Sequence, residues 1–161
     1  MIDIKLSNAL KNEGTTYSYE YNGIPDLGED IDFDQPIRLK AEYSVNERRV
    51  SVNGTLAAVL NVQCDRCLKD MTYDFAGEFD EVFLPEGTQG EDEYTYKGEA
   101  LCLDKMVYDV IILGLPHQFL CDEACKGLCP VCGQDLNETQ CNCAVNDTDE
   151  TNPFAKLKGL F

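Results

Sequence analysis

From Pro36 onward, apolar and polar positions alternate with a period of two: Ile37, Leu39, Ala41, Tyr43 and Val45 are separated by polar side chains. Successive side chains of a strand point to opposite faces, so this run predicts a half-buried strand. Asn46-Glu47 marks a turn, and Val50, Val52, Leu56, Ala58, Leu60 and Val62 carry the alternation through a second strand. Asn53-Gly54 interrupts it, where a bulge or bend is expected. Met71, Tyr73, Phe75 and Phe79 form a third alternating run, so residues 36–84 read as an antiparallel meander. Ahead of it, Ile2, Ile4 and Leu6 alternate briefly before turn-rich acidic sequence, and Gly23 to Asp30 reads as a loop.

Residues 85–100 are polar, acidic and glycine-containing, which predicts an exposed, partly disordered loop. The period then changes: Leu103, Met106, Val107, Val110, Ile111 and Leu113 follow helical spacing, and Gly114 and Pro116 end the run. Near the end of the sequence Asn152-Pro153 places an N-cap before a proline at the first helical position. Phe154, Leu157 and Phe161 would give that short helix one apolar side for docking. The expected architecture is α+β: an antiparallel β meander or partly closed barrel with one main helix and a C-terminal cysteine-rich zinc-knuckle segment. Residues 1–120 form the β domain with its helix at about 103–113, residues 121–145 the zinc-binding segment, and residues 146–161 a tail with a docking helix.

Composition narrows the class of protein. The chain has 161 residues with 13 Lys and Arg against 30 Asp and Glu, a formal net charge of −17. Such a balance argues against a protein that coats nucleic acid by electrostatics alone, because phosphate binding rests on Lys and Arg. The charge is uneven, however. Residues 38–73 hold six basic groups (Arg38, Lys40, Arg48, Arg49, Arg66, Lys69) against four acidic ones, and this is the one locally basic stretch. No run approaches the roughly 20 apolar residues of a membrane span. The N-terminus has no basic region followed by a long apolar one, so a cytosolic address is expected.

Nine cysteines in a reducing compartment need a reason other than disulfides. Cys64 and Cys67 form a C-x2-C pair at the end of a strand run, and six more cysteines lie between Cys121 and Cys143. Within that group Cys129-Pro130-Val131-Cys132-Gly133 carries the most information. Two thiolates spaced by two residues can face one ion, and the proline and glycine let backbone amides turn toward the sulfurs. Zinc takes four ligands tetrahedrally, and Cys141 and Cys143 are near enough in sequence to complete a site with Cys129 and Cys132. Cys64, Cys67, Cys121 and Cys125 would make a second one. One or two zinc ions per chain are therefore expected, and a rival pairing of Cys64 and Cys67 with Cys129 and Cys132 stays open.

Cys102 is left over and reads as a packed or exposed thiol rather than a ligand. His117, the single histidine, follows the apolar helix and is expected to pack. Asn137-Glu138-Thr139 matches a glycosylation sequon that has no meaning in the cytosol. All-thiolate sites hold zinc closed, which favours a structural role. The chain has no phosphate-cradling glycine loop, no G-x-S-x-G and no H-E-x-x-H, so no enzyme and no small-molecule substrate is expected.

Taken together, several features point to a family. They are the strand meander, Cys64-x2-Cys67, the acidic loop, the apolar run ending in Pro116, Cys125-Lys126-Gly127-Leu128-Cys129-Pro130-Val131-Cys132-Gly133-Gln134-Asp135-Leu136-Asn137, and the Asn152-Pro153-Phe154-x2-Leu157 close. With them the chain resembles the YceD-like large ribosomal RNA subunit accumulation proteins, over essentially its whole length. The resemblance implies a bacterial cytoplasmic protein that supports accumulation or processing of large-subunit (23S) rRNA in ribosome biogenesis, without known enzymatic activity. At position 102, where the family often has Asp, this chain has Cys, and Asp104 is expected to serve the helix start instead.

Such a factor acts on rRNA or on a ribosomal protein. RNA recognition wants a basic surface, for which Arg48, Arg49, Arg66 and Lys69 are the candidates. The acidic remainder suits a basic partner such as a ribosomal protein. An alternative class is a redox-responsive zinc switch or chaperone-like protein that releases its metal on oxidation.

Overall fold

The structure is a computed structural model that describes residues 1–88 and 94–143. The predicted docking helix of the tail lies outside the described residues. Among the described residues, seven strands and one helix follow in the order β1 (Asp3–Lys5), β2 (Thr16–Gly23), β3 (Ile37–Asn46), β4 (Arg49–Gln63), β5 (Asp70–Pro85), β6 (Tyr94–Tyr96), β7 (Ala100–Cys102) and α1 (Asp104–Gly114). The chain divides into two compact units. One comprises Met1–Gln63 with Asp70–Phe119, and the other Cys64–Lys69 with Leu120–Phe161. Residues 64–69 thus leave the β domain to which the sequence assigns them and join the cysteine-rich unit.

In the first unit the meander is present as read. β3, β4 and β5 are antiparallel neighbours in a five-stranded sheet of order β2-β3-β4-β5-β6. Their alternation sends Ile37, Leu39, Ala41 and Val45, then Val50, Val52, Leu56, Ala58 and Leu60, then Phe75, Phe79 and Phe83 to one buried face. That face is not covered by closing a barrel, because the sheet begins and ends on strands that do not pair with each other. Instead α1 packs against β5, and Met106, Val107 and Ile111 join the core.

The separate β1–β7 ribbon adds Ile2, Ile4, Leu6, Leu101 and Leu103 to the same core. Burying Ile2, Ile4 and Leu6 stabilises by about 1.5–3 kcal/mol each, which fixes a three-residue strand firmly. Asp104 sits in the first turn of α1 and accepts the Ile2 N–H at 2.7 Å, tying the helix start to the N-terminus.

Three expectations are corrected. The acidic segment 85–100 is not only loop: β6 pairs parallel with Phe83–Pro85, β7 with β1, and Tyr96 is buried. β2 was not expected; Tyr17, Tyr19 and Tyr21 form its half-buried side, and Tyr17 stacks on Tyr43 at 5.5 Å between centroids. Asn53-Gly54 makes no bulge, since β4 keeps an unbroken register with both neighbours. Gly54 is required for another reason, as a Cβ there would collide with the Lys40 carbonyl oxygen and crowd the Ala41 Cα. The β3–β4 turn falls on Glu47 and Arg48, whose φ values of 49° and 62° make a two-residue type I′ hairpin.

Gly54→Ala should therefore destabilise the chain by about 1–3 kcal/mol, the usual cost of overpacking, because the obstacle is backbone. Urea denaturation followed by tyrosine fluorescence checks this; an unchanged midpoint would mean the strands can part without cost.

Candidate metal centres

The second unit is built from two copies of one turn. In the first, the Cys64 N–H donates to the Lys69 carbonyl at 2.9 Å and the Leu68 N–H to the Cys64 carbonyl at 2.8 Å. In the second, the Cys129 N–H donates to the Gln134 carbonyl and the Gly133 N–H to the Cys129 carbonyl, both at 2.8 Å. Each turn needs a left-handed residue just after its second cysteine. Gly133 takes it with φ 73° and Leu68 with φ 58°. Glycine adopts that region freely, whereas another L-residue pays about 1–2 kcal/mol. With leucine there the first knuckle lacks the proline and glycine that mark the second, and only its C-x2-C spacing shows in the sequence.

Each knuckle meets a second pair of thiols. The Cys64, Cys67, Cys121 and Cys125 sulfurs lie within 4.8 Å of one another, as do those of Cys129, Cys132, Cys141 and Cys143. Of the pairings left open by the sequence, the structure brings together these two sets and not Cys64 and Cys67 with Cys129 and Cys132. In the first cluster Cys64 Sγ is 3.9 Å from Cys125 Sγ, and Cys67 Sγ is 3.6 Å from Cys121 Sγ. A disulfide would require about 2.0 Å, and all nine cysteines are free thiols. Four sulfurs bound at about 2.3 Å to a tetrahedral ion stand about 3.8 Å apart. The measured spacings bracket that edge, so the donor set fits an ion such as zinc.

Local hydrogen bonds shape the approach of the remaining ligands. Asp122 turns the chain between Cys121 and Cys125, its carboxylate accepting the Ala124 N–H at 2.7 Å and its carbonyl the Cys125 N–H at 3.0 Å. Arg66, expected to face a partner, donates its guanidinium to the carbonyls of Glu123 at 3.2 Å and Cys125 at 2.9 Å. Asn137, which the sequence shows only as part of a glycosylation sequon, donates its side-chain N–H to Cys125 Sγ at 3.3 Å and accepts the Lys126 N–H at 2.8 Å. Its place at the end of the long cysteine motif was the available signal.

Backbone amides select one sulfur in each cluster for ionisation. The N–H groups of Cys121 and then Cys67 pull the Cys64 thiol down to about 6. Those of Cys132 and Val131 do the same for Cys129, also to about 6, with the Val131 N–H 3.4 Å from its sulfur. Their neighbours go the other way. Hydrogen bonding to Cys67 pushes Cys121 up to about 12, and hydrogen bonding to Cys132 does so for Cys143. In each cluster one sulfur is thus ready to ligate, while its neighbour must give up a proton as a cation binds.

The other candidates are dispersed. Arg48 lies in the β3–β4 turn, where its carbonyl accepts the Tyr96 O–H at 2.9 Å, and Arg49 opens β4. Both belong to the first unit, whereas Arg66 and Lys69 belong to the second. The four candidates therefore divide two and two between the units. His117 is exposed rather than packed, because Pro116 turns the chain out of the helix. Cys102 is exposed on β7 opposite Asp3 and belongs to neither cluster.

A β-sheet body joined to a double cysteine knuckle defines a small, non-transmembrane-helical protein with two thiol centres: among the described residues no helix is long and apolar enough to cross a membrane. The chain belongs to the YceD family, described as large ribosomal RNA subunit accumulation protein YceD, which it matches over residues 52–161. It is 28% identical to the uncharacterized protein YlbN of Bacillus subtilis, with 72% of this chain and 70% of that protein covered. It is 22% identical to the chloroplastic large ribosomal RNA subunit accumulation protein YCED homolog 1 of Arabidopsis thaliana, covering 71% of this chain and 46% of that one. An uncharacterized protein of Mycobacterium tuberculosis is 32% identical over 54% of this chain and 45% of its own length. The chain thus spans less than half of the last two. No solved structure gives a significant match.

Protons compete with a cation for these sulfurs, and the competition sharpens once the readily ionised thiol of each cluster is protonated. Both depressed groups are charged above about 6 and lose that charge as pH falls through it. Apparent Zn2+ affinity, read by competition with a chelator, should therefore fall more steeply with pH below about 6 than above it. An apparent affinity unchanged between pH 7 and pH 5 would contradict the assignment.

Proposed function

We propose that this chain is a non-enzymatic, zinc-loaded binding module of the bacterial cytoplasm that supports accumulation of large-subunit (23S) rRNA. The observation that carries the zinc part is the pair of four-sulfur clusters, each with its sulfurs within 4.8 Å of one another, the first with two spacings near the edge of a zinc–thiolate tetrahedron. All-sulfur coordination leaves no open position for water, which supports a structural ion over a catalytic one. The family description and the Arabidopsis relative supply the connection to the large-subunit rRNA.

The partner most compatible with the surface is a basic ribosomal protein. β5 presents Asp70, Asp74, Glu78 and Asp80 on its solvent side, all at even positions of one strand and all exposed. Arg66 is committed to carbonyls of its own unit, which weakens the case for an rRNA contact through it. Exposed charges of one sign on a firm strand favour association with the opposite sign and suppress non-specific contact with RNA.

Reversing all four acidic residues to lysine should lower co-sedimentation with large-subunit precursors about tenfold, from exposed pairs of about 0.3–0.5 kcal/mol each. Cross-linking in cells should at the same time identify a basic ribosomal protein. Unchanged co-sedimentation there, with loss on Arg48→Glu and Arg49→Glu instead, would move the contact to rRNA and overturn the protein-partner assignment.

A further inference from the structure

The two clusters share more than a chain segment. Cys125 of the first and Cys129 of the second are joined by Lys126-Gly127-Leu128, and these residues bond both to the first knuckle and to the loop between Cys132 and Cys141. The Leu128 N–H donates to the Arg66 carbonyl at 3.0 Å, inside the Cys64–Cys67 turn. The Gly127 carbonyl accepts the Leu136 N–H at 2.9 Å, and the Lys126 N–H donates to Asn137 Oδ1 at 2.8 Å. A Cβ on Gly127 would come within 2.9 Å of the Arg66 carbonyl oxygen, so the two turns are packed backbone to backbone.

Asn137 stands at the crossing. It lies on the loop between Cys132 and Cys141, and Asp135 Oδ1 holds its backbone N–H at 2.8 Å and its side-chain N–H at 2.7 Å. The amide so positioned reaches Cys125 Sγ, a thiol of the other cluster, at 3.3 Å. A loop fixed by one metal therefore presents a hydrogen-bond donor to a ligand of the next. Donors to ligating atoms orient them and tune their basicity, and their removal typically costs 10–100-fold in metal affinity.

We propose that Asn137 is a positioning residue that couples the two metal centres, so that filling the Cys129–Cys143 cluster strengthens metal binding at the Cys64–Cys125 cluster. This rests on the two-centre zinc assignment above. By linkage the effect is reciprocal: filling either centre raises the affinity of the other by the same factor. The coupling bond is the N–H to sulfur, while Asn137 Oδ1 serves the Lys126 backbone.

The test is competition of the full-length chain for Zn2+ against a chromogenic chelator, beginning with the parent's stoichiometry. Disabling the second centre with Cys132→Ser and Cys141→Ser should weaken the first about tenfold in the parent, and less than twofold in the Asn137→Asp background. Asp keeps an acceptor for the Lys126 N–H and removes the donor to sulfur, and Asn137→Ala provides a second variant, with far-UV circular dichroism monitoring the fold of both. With Co2+ in place of zinc, Asn137→Asp should move the sulfur-to-cobalt charge-transfer band of the first centre to lower energy, a shift that a purely structural residue would not cause. Equal affinity of the first centre with the second filled or disabled overturns the proposal, as does coupling undiminished in both variants. A parent that binds fewer than two Zn2+ instead overturns the two-centre assignment itself, and the coupling with it.

Discussion

The cysteine-rich unit has sulfur where a small domain would have an apolar core. Among its described residues, the buried side chains are Cys64, Cys67, Cys125 and Cys129. A few dozen residues cannot bury enough hydrocarbon to offset the entropy of ordering the chain, and metal–ligand bonds commonly take over that role. Four converging thiols are a poor core by themselves, because each additional ionisation in the cluster is opposed by the charge already present. A divalent cation would reverse that repulsion and bind the four together. On the proposed zinc reading, the folding of this unit and the chemistry of its ligands are one process.

The sheet body stands on a different basis. Its buried side chains form one apolar core continuous across β1, β3–β5, β7 and α1. The β4–β5 hairpin relates the two strategies through chain connectivity: β4 ends at Gln63, β5 begins at Asp70, and the six residues between them are the first knuckle. Gln63 and Asp70 are joined side chain to side chain at 2.8 Å, which closes the base of that loop.

Alternation was legible wherever one face of a strand is buried and the other wet, as in β3, β4 and β5. It was not legible in β6 and β7, which have three residues each and owe their pairing to distant partners. β2 was obscured because its inward positions are tyrosines that end half-buried at the sheet edge. Within the metal centres, the C-P-V-C-G turn announced itself through proline and glycine, whereas the equivalent turn at Cys64 did not, because Leu68 occupies the left-handed position. The association of Cys64 and Cys67 with Cys121 and Cys125 is a long-range consequence of the fold, which no local spacing encodes. Arg66 and Asn137 looked like a surface cation and a sequon; both turn out to bond to the ligand segment at Cys125.

Zinc X-ray absorption on the purified chain, combined with metal content per molecule, addresses the central claim most directly. The account predicts two zinc ions, each surrounded by four sulfurs at about 2.3 Å and by no nitrogen or oxygen. A coordination sphere containing nitrogen or oxygen, or a single ion per chain, would contradict it.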